Sequence, residues 1–417
     1  MDRRKALGTI GGLAALAVTG DSSPALAVEP SSALSLDTVT ADFPRKQDFD
    51  LPAGRTYINC AYTHPLPIGA AAAVRRHLDR RSKPDAELPA EPAVDLKAEF
   101  AALINAKPSE ISYITSTSAG ENLIVNGLGI RRFDGNVVTD ALHFDGALVH
   151  LNELKKQGLD LRVVMPKDGR IEMRDMERVV DRKTRLIEVS LVAMYNGFQH
   201  DLKAVCDLAH AHGAYVYADI VQAAGAVPID VRATGVDFCA CSSFKWLMGD
   251  FGAGFLYVRE DLIDRVAART HIGYHSTTAM DVHLSPFDPQ VGQPVTWTMR
   301  ADATGHFETG STAHAGEAAL RYSLPYLRKL GVENIQAYRQ PMLKRIRDGM
   351  TKLGFVPETP EGTTSPLITF ATKDGATVGR KLQRARVNVR VADYWIRLSP
   401  SVFNDMADVE RLLEALA

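Results

Sequence analysis

The chain has 417 residues, 46% of them hydrophobic and 24% charged, with a formal net charge of -2. That balance excludes a disordered, fibrous or membrane-embedded polymer and leaves apolar material for a large core. No run of Lys or Arg is long enough to track a phosphate backbone, so nucleic acid is excluded as a partner in favour of a small molecule.

At the start, Asp2, Arg3, Arg4 and Lys5 precede an apolar, Gly- and Ala-rich stretch from Ala6 to Thr19, and Ala25, Leu26 and Ala27 follow. A basic region, a short apolar region and an A-x-A site in that order predict a signal peptide over residues 1–27. The adjacent arginines give it the twin-arginine form, and the apolar stretch is too short to span a bilayer. Export to the periplasm or the cell exterior is therefore expected, with the mature chain beginning near Val28. Residues 28–65 read as an N-terminal linker and arm, rich in Ser, Pro and Asp as far as Asp50.

From Ser112 onward short β-rich runs alternate with helical patterns. The runs are Tyr113–Ile114, Val137–Thr139, Leu161–Met165, Leu186–Leu191, Ala214–Ala218, Val236–Cys241 and Gly254–Val258. This alternation predicts an α/β fold, a mostly parallel sheet with helices on both faces, over a large domain at 66–325. Leu202 to His212 reads as one covering helix, ended by Gly213 as a left-handed cap. Ser276 to Thr298, with its prolines and glycines and no clear period, reads as a long loop. Past Gly331 a helix from Asn334 to Leu353, a strand from Leu367 to Ala371, a helix from Val378 and extended runs to Leu398 predict a small α+β domain at 326–417. Its last helix buries Val409, Leu412, Leu413 and Leu416 and is capped by Asn404 or Asp405.

Open α/β sheets bind ligands beyond the carboxyl ends of their strands, and polar residues gather there in this sequence. Lys245 follows a buried strand, between aromatic neighbours and a glycine-rich turn. Desolvation there lowers an amine's pKa and makes it a nucleophile toward an aldehyde. Asp219 ends another apolar strand, where a carboxylate needs a cationic partner. The pyridinium nitrogen of pyridoxal phosphate is one such partner; a helix cap or an arginine pair is the plainer alternative. The cysteines Cys60, Cys206, Cys239 and Cys241 lack CxxC spacing, so neither a disulfide framework nor a metal site is expected.

"YADIVQAAGAVPIDV" from Tyr217 and "DFCACSSFKWLMGDFGAGFLYVRE" from Asp237 resemble the class V aminotransferases. These are fold-type I pyridoxal-phosphate enzymes, a group that includes cysteine desulfurases, kynureninase and isopenicillin N epimerase. The resemblance runs from "YINCAYTHPLP" at Tyr57 to "IRLSPSVFN" at Ile396 and implies a seven-stranded large domain with a small C-terminal one. It assigns the cofactor Schiff base to Lys245, the ring nitrogen to Asp219, the phenolic oxygen to Gln222 and a phosphate contact to Ser242. "TSTSAGENLIVNGL" matches the phosphate loop, with the Ser118 hydroxyl and, where a second threonine is usual, only the backbone of Ala119. An aromatic or histidine plane covers the ring; "ALHFDGAL" offers His143 and Phe144, and the alignment favours Phe144. Asn196 matches an asparagine near the cofactor oxygen and substrate, and Arg397 matches the arginine that grips the substrate α-carboxylate. "HFETGSTAHAG" resembles the segment that reaches the other subunit's phosphate site, so Ser311 implies a homodimer with composite active sites.

Members of the family share a first step in which an amino acid displaces the lysine, and then diverge. Cysteine desulfurases carry a nucleophilic cysteine on a loop shortly before the carboxylate-binding arginine, and "RARVNVRVADYWIRLSP" has none. The expected chemistry is therefore proton movement at the α-carbon of a small amino acid, leading to epimerisation or to C-S or β-elimination, with transamination as the alternative. A binding protein of this fold without catalysis would need neither Lys245 nor Asp219.

Overall fold

The computed structural model describes residues 36, 40–84, 93–130, 134–265, 267–288 and 291–417. The expected signal peptide and much of the linker after it lie outside the described residues. The chain enters through β1 (Thr56–Tyr57), α1 (Ile68–Ser82) and α2 (Leu96–Ile104). It then alternates through β2 (Ile111–Ile114), α3 (Thr117–Gly127), β3 (Asn136–Asp140), α4 (Asp145–Lys156), β4 (Asp160–Val164) and α5 (Met173–Glu177). The alternation continues through β5 (Thr184–Ser190), α6 (Leu202–Ala211), β6 (Tyr215–Asp219), α7 (Val231–Thr234), β7 (Phe238–Ser242) and β8 (Gly254–Val258).

Seven of these strands form one sheet in the order β2-β8-β7-β6-β5-β3-β4. The exception to its parallel run is β8, which pairs antiparallel with both β2 and β7. Helices cover both faces, so β3, β7 and β8 are buried at every residue, which is why they read as continuous apolar runs rather than alternating ones. Cys239 and Cys241 fill core on β7.

The helices follow from their caps and stripes. In α6 the Asp201 carboxylate accepts the Ala204 N–H, and Leu202, Val205, Cys206 and Ala209 turn one face inward. Burying a Leu or Val there contributes about 1.5–3 kcal/mol. Gly213, with φ 78°, turns the chain out of the helix into β6.

After β8 come β9 (Thr277–Val282), β10 (Val295–Met299), α8 (Ala303–Phe307), α9 (His314–Leu330) and α10 (Val332–Lys352). The chain ends with β11 (Val356–Pro357), β12 (Ile368–Ala371), α11 (Gly375–Arg384), β13 (Val387–Asn388), β14 (Arg390–Val391), β15 (Trp395–Leu398) and α12 (Met406–Leu416). A four-stranded antiparallel sheet, β11-β12-β15-β14, packs with α10, α11 and α12 around its own core of Ile346, Met350, Phe370, Ile396, Val409 and Leu412. Ile58 joins that core and β1 pairs with β13, so the arm before α1 is built into the layer formed by the end of the chain. Asp405 caps α12, its carboxylate accepting the Asp408 N–H.

The segment expected as a long loop at 276–298 differs: β9 and β10 pair as an antiparallel hairpin. Its residues are mostly exposed on both faces, Met280, Val282 and Trp297 among them. Without a buried face there is no period-2 pattern for a sequence to display.

Candidate active site

β3, β5, β6 and β7 end beside one another, and their last residues are Asp140, Ser190, Asp219 and Ser242. Ser190 and Asp219 are direct cross-strand partners. The Asp219 carboxylate is buried; its Oδ1 accepts the Val221 N–H at 2.8 Å, and it has no ion pair among the described residues. Burial holds this carboxyl above its usual range, opposed by His143 and Lys245.

Lys245 sits in the tight turn after β7. Met248 donates its N–H to the Lys245 carbonyl, Ser243 donates its N–H to Ala253 and its hydroxyl to Asp250, and Met248 takes φ 54°. A Cβ on Gly249 would come within 2.6 Å of the Ser243 hydroxyl, so the turn closes only around glycine. The residue is 7% exposed and, with no ion pair among the described residues, burial pushes its amine down to about 8; Asp219 opposes that shift and Arg397 adds to it.

The N-terminus of α3 faces the same strand ends. Ser116 caps it by accepting the Ala119 N–H at 3.1 Å, so the backbone donor expected from Ala119 is turned toward the cap. The Ser118 side chain is half-buried and makes no hydrogen bond among the described residues. Ser242 is clipped to the helix: its hydroxyl accepts the Thr117 N–H at 2.9 Å and its own N–H donates to the Thr117 hydroxyl at 3.1 Å. Gly120 lets α3 approach the sheet, since a Cβ there would lie 2.9 Å from that of Ala240. Such a helix end, with the Ser118 hydroxyl beside it and the positive end of the dipole, suits an anion.

The remaining expected residues divide. Gln222 is buried, donating to the Ala61 carbonyl at 3.0 Å and accepting the Trp246 indole N–H at 3.0 Å; one amide N–H is left over. His143 is buried with Nδ1 2.9 Å from the Ser190 hydroxyl, and its ring lies close enough to feel the charge of Asp219. Phe144, which the alignment favours, is half-buried and lays its ring over Gly146 of its own helix. His143 thus lies near Asp219, and the Phe144 ring lies against Gly146. Asn196 spends its amide on a turn, donating to the Gly169 carbonyl at 2.7 Å and accepting the Phe198 N–H at 3.0 Å.

Arg397, on β15, is 3% exposed. It donates to the Met194 carbonyl at 2.8 Å, its buried Nε has no partner, and no carboxylate pairs with it among the described residues. Burial and the charge of Arg390 bring it down to about 10. An interior guanidinium without an anion is a ready fork for a carboxylate. Ser311 is exposed, 3.1 Å from the Tyr274 hydroxyl, and lines a cavity of about 610 Å3 with Ala119, Gly252 and Glu308.

Several buried polar groups were not singled out from the sequence. His200 pairs with Asp140 at 3.0 Å, and Glu121, Glu188 and His143 come together in the core. The available signal was an acid inside a strand run, "TRLIEVS". All four cysteines are free and buried, and burial pushes their thiols up, Cys206 to about 12.

The family model described as aminotransferase class-V matches residues 91–412. A cysteine desulfurase of Shigella sonnei is 28% identical over 414 residues, covering 92% of this chain and 97% of its own. Among solved structures, a cysteine desulfurase from Thermococcus onnurineus superimposes with a TM-score of 0.76 at 22% identity, covering 89% of this chain and 97% of that one. A cystine C-S lyase in complex with its reaction product, cysteine persulfide, gives 0.73 at 20% identity over 87% and 97%. At these identities the structural likenesses speak for the fold.

Proposed function

The chain belongs to the aminotransferase class-V family, and on that premise we propose that it is a lyase that eliminates sulfur from the β-carbon of an amino acid such as cystine or cysteine, with Lys245 as covalent anchor and base. It is a pyridoxal-phosphate-dependent enzyme. The residues fit that cofactor: a buried acid without a cation, a desolvated lysine and a helix end with an unused hydroxyl meet at the carboxyl ends of the strands. When bound, pyridoxal phosphate supplies an aldehyde that takes up amines and a ring that draws electrons from the α-carbon.

In this reading the Lys245 amine removes the α-proton of the substrate, and the electron pair left behind expels the sulfur from the β-carbon. Asp219 keeps the ring nitrogen protonated. Ser118, the α3 backbone and Ser242 hold the phosphate, with Ala119 contributing position more than a donor. The spare amide N–H of Gln222 meets the phenolic oxygen, and His143 covers the ring. Asn196 supports the turn that presents Met194, whose carbonyl orients Arg397 toward the α-carboxylate. Ser311 serves the phosphate of a second copy, which makes the enzyme a homodimer. The Arg3–Arg4 leader supports export by the twin-arginine route.

The observation that carries the elimination reading over desulfuration is the burial of every thiol: none of the four cysteines is free to accept sulfur from a substrate. The test is product analysis with cystine and cysteine. Pyruvate, ammonia and released sulfur are expected, unaffected by pretreating the enzyme with iodoacetamide and removing the excess reagent. Alanine as product, inactivation by alkylation, a D-amino acid, or a keto acid without ammonia would each overturn it.

Two further outcomes follow. Replacing Arg397 by Lys keeps the charge and loses the planar fork, so KM for the amino acid rises about 30-fold while kcat changes little. Because burial brings the Lys245 amine down to about 8, capture of pyridoxal phosphate by cofactor-free protein accelerates with pH up to a plateau above that midpoint. Below it the protonated amine cannot attack, and the rate falls about tenfold per unit. A stopped-flow absorbance titration measures this, and a rate still climbing steeply past pH of about 9 would contradict it.

A further inference from the structure

A cluster of ionisable groups lies in the core between α3, α4 and β5, where Glu121, Glu188 and His150, none of which takes part in the site described so far, gather beside His143. The carboxyl oxygens of Glu121 and Glu188 and a ring nitrogen of His143 lie within 4.8 Å of one another, all three residues buried. Glu188 is fully buried, and neither of its oxygens has a hydrogen-bond partner among the described residues. Glu121 is hydrogen-bonded to Nδ1 of His150 at 2.6 Å. The other titratable groups around the cluster are Asp140, bonded to His200, and Tyr217 and Asp219 on β6.

The Ser190 hydroxyl accepts the Phe144 N–H at 3.2 Å and is hydrogen-bonded to Nδ1 of His143 at 2.9 Å, while Nε2 of that ring is buried without a partner. Two carboxyls this close in a dry core do not both ionise, and burial with the charge of Glu121 pushes Glu188 well above the usual carboxyl range.

We propose that Glu121 and Glu188 share one proton, and that the single negative charge left on the pair, within 4.8 Å of a His143 ring nitrogen, orients that ring beside Asp219. Both glutamates are then positioning residues. Their effect on catalysis rests on the reading of His143 as the ring that covers the cofactor; the shared proton does not.

The test has two arms. In cofactor-free protein, difference infrared spectra of wild type against Glu188→Gln are expected to show the carbonyl stretch of a protonated carboxylic acid that the variant lacks. In holoenzyme, Glu121→Gln is expected to lower the pH midpoint of the visible absorption band by on the order of one unit, because a nearby negative charge is lost. Glu188→Ala lowers kcat about tenfold with KM unchanged, and Glu188→Gln, neutral and of the same shape, restores most of it. A wild-type protein without the acid band, or one carrying a stoichiometric divalent ion that Glu188→Ala releases, overturns the shared proton. An acid band with an unmoved midpoint overturns the link to His143. Neither result touches product formation, on which the lyase reading is judged.

Discussion

Replacing Lys245 by Ala is expected to lower kcat about 10³- to 10⁴-fold while leaving the fold and the binding of pyridoxal phosphate in place. The amine is buried and has no ion-pair partner among the described residues, so its removal strands no opposite charge. The phosphate site is built from α3 and β7 and does not depend on the lysine side chain. The variant should therefore retain its circular dichroism and still take up the cofactor, now removable by dialysis. Small primary amines added to the assay should recover part of the turnover, since they replace the missing base. A variant that keeps more than about a tenth of wild-type kcat would mean that another group moves the α-proton.

The second large effect is expected from Asp219→Asn. Asparagine has nearly the same shape and keeps an oxygen for the Val221 N–H, so the end of β6 remains intact. What disappears is the charge that holds a proton on the ring nitrogen, and with it most of the ring's capacity to draw electrons. A loss of about 10² to 10⁴ in kcat is expected, with cofactor still attached and KM changed far less. Steady-state kinetics beside an absorbance spectrum separates this from cofactor loss. A kcat within about threefold of wild type would remove Asp219 from the chemistry.

The large sheet was legible because its strands are buried on both faces and bounded by turn residues, as in "YVYADIVQ" leading to Asp219. The hairpin of β9 and β10 was not legible, because pairing by backbone hydrogen bonds alone leaves no side-chain period. The same sequence logic placed Lys245 and Asp219 at strand ends, and the parallel order of β6 and β7 then set those ends side by side. Choosing between His143 and Phe144 was beyond it: adjacent residues after a strand differ by the direction in which the chain turns, and the Ser190 hydroxyl holds that turn by accepting the Phe144 N–H. Asn196 looked like a ligand because its type is right; the Gly169 and Phe198 backbone groups that occupy its amide are distant or local partners that no motif announces. Glu188 was hidden for a different reason, since one acid within "TRLIEVS" is compatible with an exposed edge and its burial depends on the helices packed over β5.

The account stands on the bond between Lys245 and the aldehyde carbon of pyridoxal phosphate. Borohydride reduction of the holoenzyme, followed by proteolysis and mass spectrometry, reads that bond directly. The expected result is a single phosphopyridoxyl group on the peptide that contains Ser243-Phe244-Lys245-Trp246. A label on any other lysine, or a reduced protein from which the cofactor still dialyses away, would contradict it.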